Sequence, residues 1–213
     1  DLRKLNSVCR KESYPFPRID DMLDSLQGAK FFTVLDITSG YFHIEGFPSD
    51  KEKTAFFTSR RHYQWKVMPM GFTNGPVIFQ RTIATILRKY GLTSCAVNFL
   101  DDTVVFSPTF EQHLIDVSRV LQAFKDNNIK LKPSKCFFAY LEADFLGHRI
   151  SLDQVKPLTS NVKAILELPR PTTVRMVRSF LGKINYYRRS IPNASVLFAP
   201  LYDLLKDDTK FVW

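Results

Sequence analysis

The sequence predicts an α+β body that ends in a basic helical appendage. Strand-forming runs, Phe31-Phe32-Thr33-Val34-Leu35, Ala96-Val97-Asn98-Phe99-Leu100 and Thr103-Val104-Val105-Phe106, alternate with segments whose apolar residues recur at helical spacing. From Lys156-Pro157 onward the pattern is helical, punctuated by Pro169, Pro171, Pro192 and Pro200. There Lys and Arg outnumber the acids Glu167, Asp203, Asp207 and Asp208, so most of the net charge of +9 lies in this last quarter.

Each element has a local reason. Asp1 to Pro17 is polar and reads as a loop. Pro15 and Pro17 open an amphipathic helix through Ile19, Met22, Leu23 and Leu26, and Gly28 closes it. The strand to Asp36 follows, then a turn at Thr38-Ser39-Gly40 before Tyr41-Phe42-His43-Ile44. Residues 53–68 alternate polar with aromatic types (Thr54, Phe56, Phe57, His62, Tyr63, Trp65), predicting an antiparallel hairpin turned by Ser59-Arg60-Arg61. Asn74-Gly75-Pro76 is a helix start, with Asn as cap and Pro in the first turn, and Gly91 is the stop. Thr109-Phe110-Glu111-Gln112 reads as a capping box for a helix facing Leu114, Val117, Leu121 and Phe124 inward and fraying at Asn127-Asn128. Short strands are expected near Phe137-Phe138, from Phe145 to Ile150, and over Lys210-Phe211-Val212-Trp213, with a subdomain boundary near residue 156.

Composition narrows the function. With 213 residues, 45% of them hydrophobic and 19 Phe, the chain can bury a core, which excludes a disordered polypeptide. The excess of basic residues favours a polyanionic partner, nucleic acid before an anionic membrane surface. No apolar run approaches the ~20 residues of a spanning helix, and no charged-then-apolar leader opens the chain, so an intracellular location and no membrane partner are expected. Cys9, Cys95 and Cys136 are scattered and without CxxC spacing, which suits a reducing compartment and argues against a zinc site. A chain that opens at Asp1 and stops inside a strand-like run reads as a piece of something longer.

The most informative feature is Asp101-Asp102, two carboxylates with apolar strand formers on both sides and no spacer, which predicts a tight hairpin with both at its tip. Like charges ~4 Å apart repel by ~4 kcal/mol at an effective dielectric near 20, so a cation is needed to compensate. Asp36 ends a similar run. Three carboxylates at strand ends point to a divalent-metal site for phosphoryl or nucleotidyl transfer. The plainer alternative is that Asp-Asp favours a turn and Asp36 caps the next segment.

Six segments in order along the whole chain, the Asp-Asp tip among them, carry a resemblance. Asp1-Leu2-Arg3-Lys4-Leu5-Asn6, Leu35-Asp36-Ile37-Thr38-Ser39-Gly40-Tyr41, Met68-Pro69-Met70-Gly71-Phe72-Thr73-Asn74-Gly75-Pro76 with Phe79-Gln80-Arg81, Phe99-Leu100-Asp101-Asp102, Phe145-Leu146-Gly147-His148, and Arg178-Ser179-Phe180-Leu181-Gly182 with Asn185-Tyr186-Tyr187-Arg188-Arg189 match one family's motifs. The chain resembles the reverse transcriptase domain of gypsy-like LTR retrotransposons and retroviral Pol polyproteins.

That resemblance implies a right-hand polymerase of fingers, palm and thumb, with an antiparallel palm sheet packed on helices. Fingers would be about 1–11 and 45–73, palm about 12–44 and 74–155, and the helical thumb 156–213. The implied reaction is RNA-directed DNA synthesis: a primer 3′-hydroxyl attacks the α-phosphate of a dNTP on an RNA or DNA template, assisted by two Mg²⁺ ions, with Mn²⁺ as a substitute. Asp36, Asp101 and Asp102 would be the catalytic metal ligands. Ile37, Thr38, Ser39 and Gly40 would cradle the triphosphate through backbone N–H groups, Tyr41 would reject ribonucleotides, and Met70 would lie over the incoming base. Pro76, Phe79, Leu146, Gly147, His148, Arg178, Lys183 and Arg188 would contact template and primer. Lys135 would either donate a proton to pyrophosphate or sit in a solvated loop. RNase H, integrase and protease segments are expected in the parent Pol polyprotein. The family's basic fingertip hairpin has no counterpart before Asp1, and no RNase H segment follows Trp213, so the expected alternative is an inactive or domesticated remnant that binds nucleic acid. Phe42-His43, Gly75 and Phe99 depart from the family pattern without removing a metal ligand.

Overall fold

The computed structural model describes residues 1–206 and Phe211. The strand expected over residues 210–213 lies outside the described residues, apart from Phe211. In chain order the elements are α1 (Arg3–Val8), α2 (Ile19–Ser25), β1 (Phe31–Asp36), α3 (Pro48–Lys51), β2 (Phe56–Phe57), β3 (His62–Tyr63), α4 (Gly75–Lys89), β4 (Ala96–Phe99), β5 (Asp102–Ser107), α5 (Phe110–Asp126), β6 (Phe137–Tyr140), β7 (Glu142–Phe145), β8 (His148–Ser151), β9 (Val155–Pro157), α6 (Thr159–Leu166), α7 (Val174–Tyr186) and α8 (Ala194–Asp203). A 3₁₀ turn spans Gly40–His43. The sheets run β4-β5-β1-β6, β2-β3 and β7-β8-β9.

The first compact unit holds Asp1–Phe145 and Ile150–Gln154. Its central strand β1 lies between β5 and β6, antiparallel to both, with Phe32, Thr33 and Leu35 buried and Phe31, Val34 and Asp36 partly covered. α4 and α5 close the core over it: Leu35, Phe79, Ile83, Leu92, Val105, Val120 and Phe124 form one buried cluster. The β2-β3 hairpin pairs Phe56 with Tyr63 and Phe57 with His62, shorter than the alternation suggested because a 3₁₀ turn takes Glu52–Thr54. The second unit holds Leu146–Arg149 and the chain from Val155 onward. Its core is Val177, Leu181, Ile184, Ala194 and Phe198, the apolar stripe of α7 against α8.

Several local expectations need correction. The opening segment is not all loop: α1 forms because Asp1 accepts from the Arg3 backbone N–H (2.9 Å), and Asn6 ties it to Gly71 O and Thr73 N. Asn74 stands at the cap position of α4, yet its side chain does not cap; it accepts from Glu12 N and donates to Arg10 O, fastening the opening segment instead. In the expected capping box, Thr109 Oγ1 accepts from Gln112 N, but the Gln112 amide donates to Asp116 rather than back to the cap. Leu114 is exposed, and α5 turns His113, Asp116, Val120, Ala123 and Phe124 inward. The run from Phe145 to Ile150 is not one strand: Leu146 (φ 47°) and Gly147 (φ 72°) turn the chain between β7 and β8. Cys9, Cys95 and Cys136 are all free thiols.

His113 explains the buried polar residues beneath the sheet. Ser107 Oγ donates to Asp116 (2.8 Å), so it accepts from His113 Nδ1 (3.1 Å), leaving Nε2 to accept from the Thr33 hydroxyl (2.7 Å). Both nitrogens are therefore satisfied by the neutral ring. Burial pushes its pKa below the ordinary value, only partly opposed by Asp116. The unfolded chain binds the proton first, so stability is full above about pH 6.5 and declines as pH falls from there through the lowered folded value. Chemical denaturation from about pH 7 to pH 5 should show this loss, with a flatter slope in His113→Gln.

Candidate active site at the end of the central sheet

The β1-β5 register carries the site. Asp36 stands directly opposite Asp102, the last and first residues of their strands. Phe99 pairs with Asp102, so the two-residue turn is Leu100-Asp101 rather than Asp101-Asp102, with Leu100 in the left-handed region (φ 51°). Asp101 is thus at the tip and Asp102 begins β5. The Ile37 N–H donates to Asp101 O (2.9 Å), which draws the tip against the chain leaving Asp36. The structure therefore brings together all three carboxylates predicted from the sequence.

Two buried amides, missed in the sequence, hold that turn. Gln80 on α4 accepts from Leu100 N (2.7 Å) and donates to Asn98 O (2.9 Å). Asn98 donates to Leu100 O (2.7 Å), Asp102 O (3.1 Å) and Thr103 Oγ1 (3.0 Å). The signal was present: Gln80 shares the apolar face of Ile83 and Leu87, and a buried amide there must find partners.

The electrostatics are unfavourable to three free anions. The Asp101 carboxyl is held above the usual carboxylate range by burial, then by Asp102 and Asp36, against smaller opposing effects of His43 and Lys135. Asp102 is raised by burial and then by Asp36, opposed by Lys135. Lys135 is exposed, as a solvated lysine would be, yet its Nζ also reaches Asp36 Oδ2 at 3.2 Å. As the side chains stand, no three His, Cys, Asp or Glu among the described residues form a ready metal cage. The donor set nevertheless fits a hard divalent cation: the groups are carboxylate oxygens, and the fold crowds them at a cost that positive charge would relieve.

Around the carboxylates the predicted residues divide. Gly40 packs directly against the Asp101 carboxylate and the Phe79 ring, and a Cβ there would overlap the first and come within 2.6 Å of the second. Tyr41 is half-buried, edge-on to Phe79 with centroids 5.7 Å apart, and its hydroxyl pKa is raised by burial and then by Asp101. His43 locks this turn: Lys130 N donates to Nε2 (3.0 Å), leaving Nδ1 to donate to Gly40 O (3.2 Å). The expected N–H cradle is only partly open, because Ile37 N and Thr38 N already donate to Asp101 O and Lys130 O. Pro76 sits in the first turn of α4. Phe79 is fully buried beneath Gly40 and Tyr41, so it supports the site and does not touch a template. Met70 is exposed on a separate cavity of about 710 Å³ with Arg3, Lys4, Lys53 and Trp65.

In the second unit, Leu146, Gly147 and His148 meet α7. The Tyr186 hydroxyl donates to Leu146 O (2.7 Å), and a Cβ on Gly147 would lie 2.9 Å from the Tyr187 hydroxyl. His148 is buried between Tyr186 and Tyr187, with Nδ1 2.9 Å from Leu146 O, so its imidazole orients this turn and is closed to a primer. Arg178, Lys183 and Arg188 are exposed, and Arg188 donates to Ser195 Oγ (2.6 Å).

Comparison with known proteins accords with this geometry. The family model described as reverse transcriptase (RNA-dependent DNA polymerase) matches residues 1–150. The retrovirus-related Pol polyprotein from transposon 297 of Drosophila melanogaster is 40% identical over 210 residues, 99% of this chain and 20% of that protein. The transposon Tf2-3 polyprotein of Schizosaccharomyces pombe is 35% identical over 213 residues, 100% of this chain and 16% of that protein. The chain thus spans a fifth or less of the length of these curated relatives. Among solved structures, the foamy viral protease-reverse transcriptase dRH in complex with double-stranded DNA matches with a TM-score of 0.87 at 22% identity, over 96% of this chain and 36% of that one. The foamy viral protease-reverse transcriptase bound to an RNA/DNA hybrid matches with a TM-score of 0.80, over 96% of this chain and 28% of its own. The shared α+β polymerase fold, the family model and the Pol relatives agree: the chain belongs to the reverse transcriptase family.

Proposed function

We propose that this chain performs RNA-directed DNA synthesis within a retrotransposon Pol polyprotein, joining a primer 3′-hydroxyl to a dNTP on an RNA or DNA template. The observation that carries the reading is the pairing of Asp36 with Asp102 beside the Asp101 tip. Asp36, Asp101 and Asp102 would hold divalent cations, Mg²⁺ with Mn²⁺ as substitute, once Lys135 gives way at Asp36. Such cations lower the pKa of an attacking hydroxyl and neutralise charge on a leaving pyrophosphate. Gln80 and Asn98 keep the Asp101 turn in place before substrate arrives, which lowers the reorganisation the reaction requires.

The turn Ser39-Gly40 presents backbone beside Asp101, and the Tyr41 ring, braced on Phe79, stands where a sugar would be screened. A site that closes on the sugar with an aromatic ring rejects an added hydroxyl by sterics. Tyr41→Ala should then incorporate ribonucleotides at least about tenfold better relative to dNTPs, read as the ratio of kcat/KM values. Arg178, Lys183 and Arg188 would position duplex through phosphates, while Leu146 and Gly147 would offer backbone to the primer. In this reading residues 1–11 and 45–73 act as fingers, 12–44 and 74–155 as palm, and 156–213 as thumb. RNase H, integrase and protease would be companions in the parent polyprotein, inside the cell; no helix among the described residues is long and apolar enough to cross a membrane. The test is extension of a labelled primer on RNA by the chain with Mg²⁺, which chelation and Asp36→Asn should each remove. Extension unaffected by either would refute it.

A further inference from the structure

The antiparallel pairing of Ile37 with Leu131 carries β1 past Asp36 and then stops one bond short. Thr38 N donates to Lys130 O (2.9 Å) and Lys132 N donates to Asp36 O (2.9 Å), the two bonds that flank such a pair. In an antiparallel ladder the next pair, Thr38 with Lys130, exchanges both of its bonds. Here the return bond goes elsewhere, where Ser39 enters the left-handed region (φ 51°) and the chain turns into Gly40–His43. Lys130 N donates instead to His43 Nε2 (3.0 Å), so the imidazole stands in for the Thr38 carbonyl.

A ring nitrogen that accepts from a backbone N–H carries no proton, which puts the proton of the neutral ring on Nδ1. Nδ1 then donates to Gly40 O (3.2 Å). With one acceptor and one donor, His43 joins the Lys130–Lys132 segment to the turn, inside the first compact unit. The Gly40 carbonyl and the Tyr41 N–H belong to one planar trans peptide, so fixing the first fixes the second. The same peptide leads to the Tyr41 Cα, which carries the ring braced edge-on against Phe79. A ring held by that one contact would be free to pivot about it. His43 removes the pivot.

We propose that His43 is a positioning residue for nucleotide selection: it clasps the Gly40-Tyr41 peptide to Lys130 and so holds the Tyr41 ring against a ribose 2′-hydroxyl. This role rests on the polymerase reading, whereas the clasp itself needs neither metal nor nucleotide. The imidazole acts through Tyr41 and does not touch substrate.

The experiment compares dNTP with rNTP incorporation on a primed RNA template, as the ratio of kcat/KM values. His43→Leu keeps the bulk and removes both bonds; it should lower the preference for dNTP about fivefold, the worth of one hydrogen bond. His43→Gln offers an amide oxygen to Lys130 N and an amide N–H to Gly40 O, and should restore most of that preference. The ratio does not depend on how much of the chain is folded, so a merely structural His43 would leave it unmoved. In Tyr41→Ala, adding His43→Leu should change the ratio by less than about twofold, because the residue it acts through is gone. Independently of the reaction, amide exchange followed by NMR should show Lys130 N–H exchanging about tenfold or more faster in His43→Leu, with Thr38 and Lys132 still protected. With primer extended by the wild type, an unchanged ratio in His43→Leu, no recovery in His43→Gln or a full effect in the Tyr41→Ala background would each overturn the role alone. A wild type that extends no primer removes the polymerase reading and the role built on it. Unchanged exchange at Lys130 removes the clasp in either case.

Discussion

Asp101→Asn should lose primer extension by on the order of 10³-fold while melting at a higher temperature than the wild type in the absence of metal. The two effects have one cause. A carboxylate at the Leu100-Asp101 tip is needed to hold cations whose charge stabilisation amounts to several kcal/mol, and asparagine keeps the shape without the charge. The same carboxylate is crowded by burial, Asp102 and Asp36, so its folded pKa lies above that of the unfolded chain. The native state then holds the proton longer, and stability falls as pH rises through the raised value. At acidic pH both proteins carry a neutral side chain and their difference should vanish, and near neutrality it should be full. Near neutrality the variant should therefore show the higher Tm. Scanning calorimetry with chelator at several pH values reads it; an acid-side gap larger than the neutral one would contradict the account.

Gly40→Ala should be the more destabilising change despite adding one methyl. Its Cβ has no room: it would overlap the Asp101 carboxylate and meet Phe79, which is fixed in the core. Because the Phe79 ring cannot retreat, the Asp101 side chain must. Overpacking of this kind costs about 1–3 kcal/mol of stability. Displacing a catalytic group by about 1 Å costs on the order of 10²-fold in rate. The expected signature is a fall in kcat larger than any change in primer-template affinity, because the methyl acts on the Asp101 carboxylate. Wild-type turnover in the Gly40→Ala variant would show that Gly40 does not set the Asp101 position.

What could be read from the sequence follows what is local. The strand ends at Asp36 and Asp102 are marked by apolar runs that stop at a carboxylate, and the starts and stops of α4 and α5 by Asn74, Gly91 and Thr109. The pairing of β1 with β5, which places Asp36 opposite Asp102, joins residues far apart along the chain and has no local signature. Burial was the other blind spot. Phe79 and His148 lie in motifs that suggested nucleic-acid contact, yet their side chains are buried and act on neighbours. Leu114 fits the apolar period of α5, yet the helix turns His113 and Asp116 inward because Thr33 and Ser107 supply their partners. Gln80 was overlooked because a lone polar residue in an apolar stripe looks like noise until the turn it holds is seen.

The most direct measurement is anomalous diffraction from crystals of this chain with primer-template, an incoming dNTP and Mn²⁺. The account predicts manganese peaks about 2.0–2.2 Å from carboxylate oxygens of Asp36 and Asp101, with Asp102 alongside and Lys135 withdrawn from Asp36. An ordered nucleotide with manganese elsewhere, or with Asp36 still paired to Lys135, would contradict it.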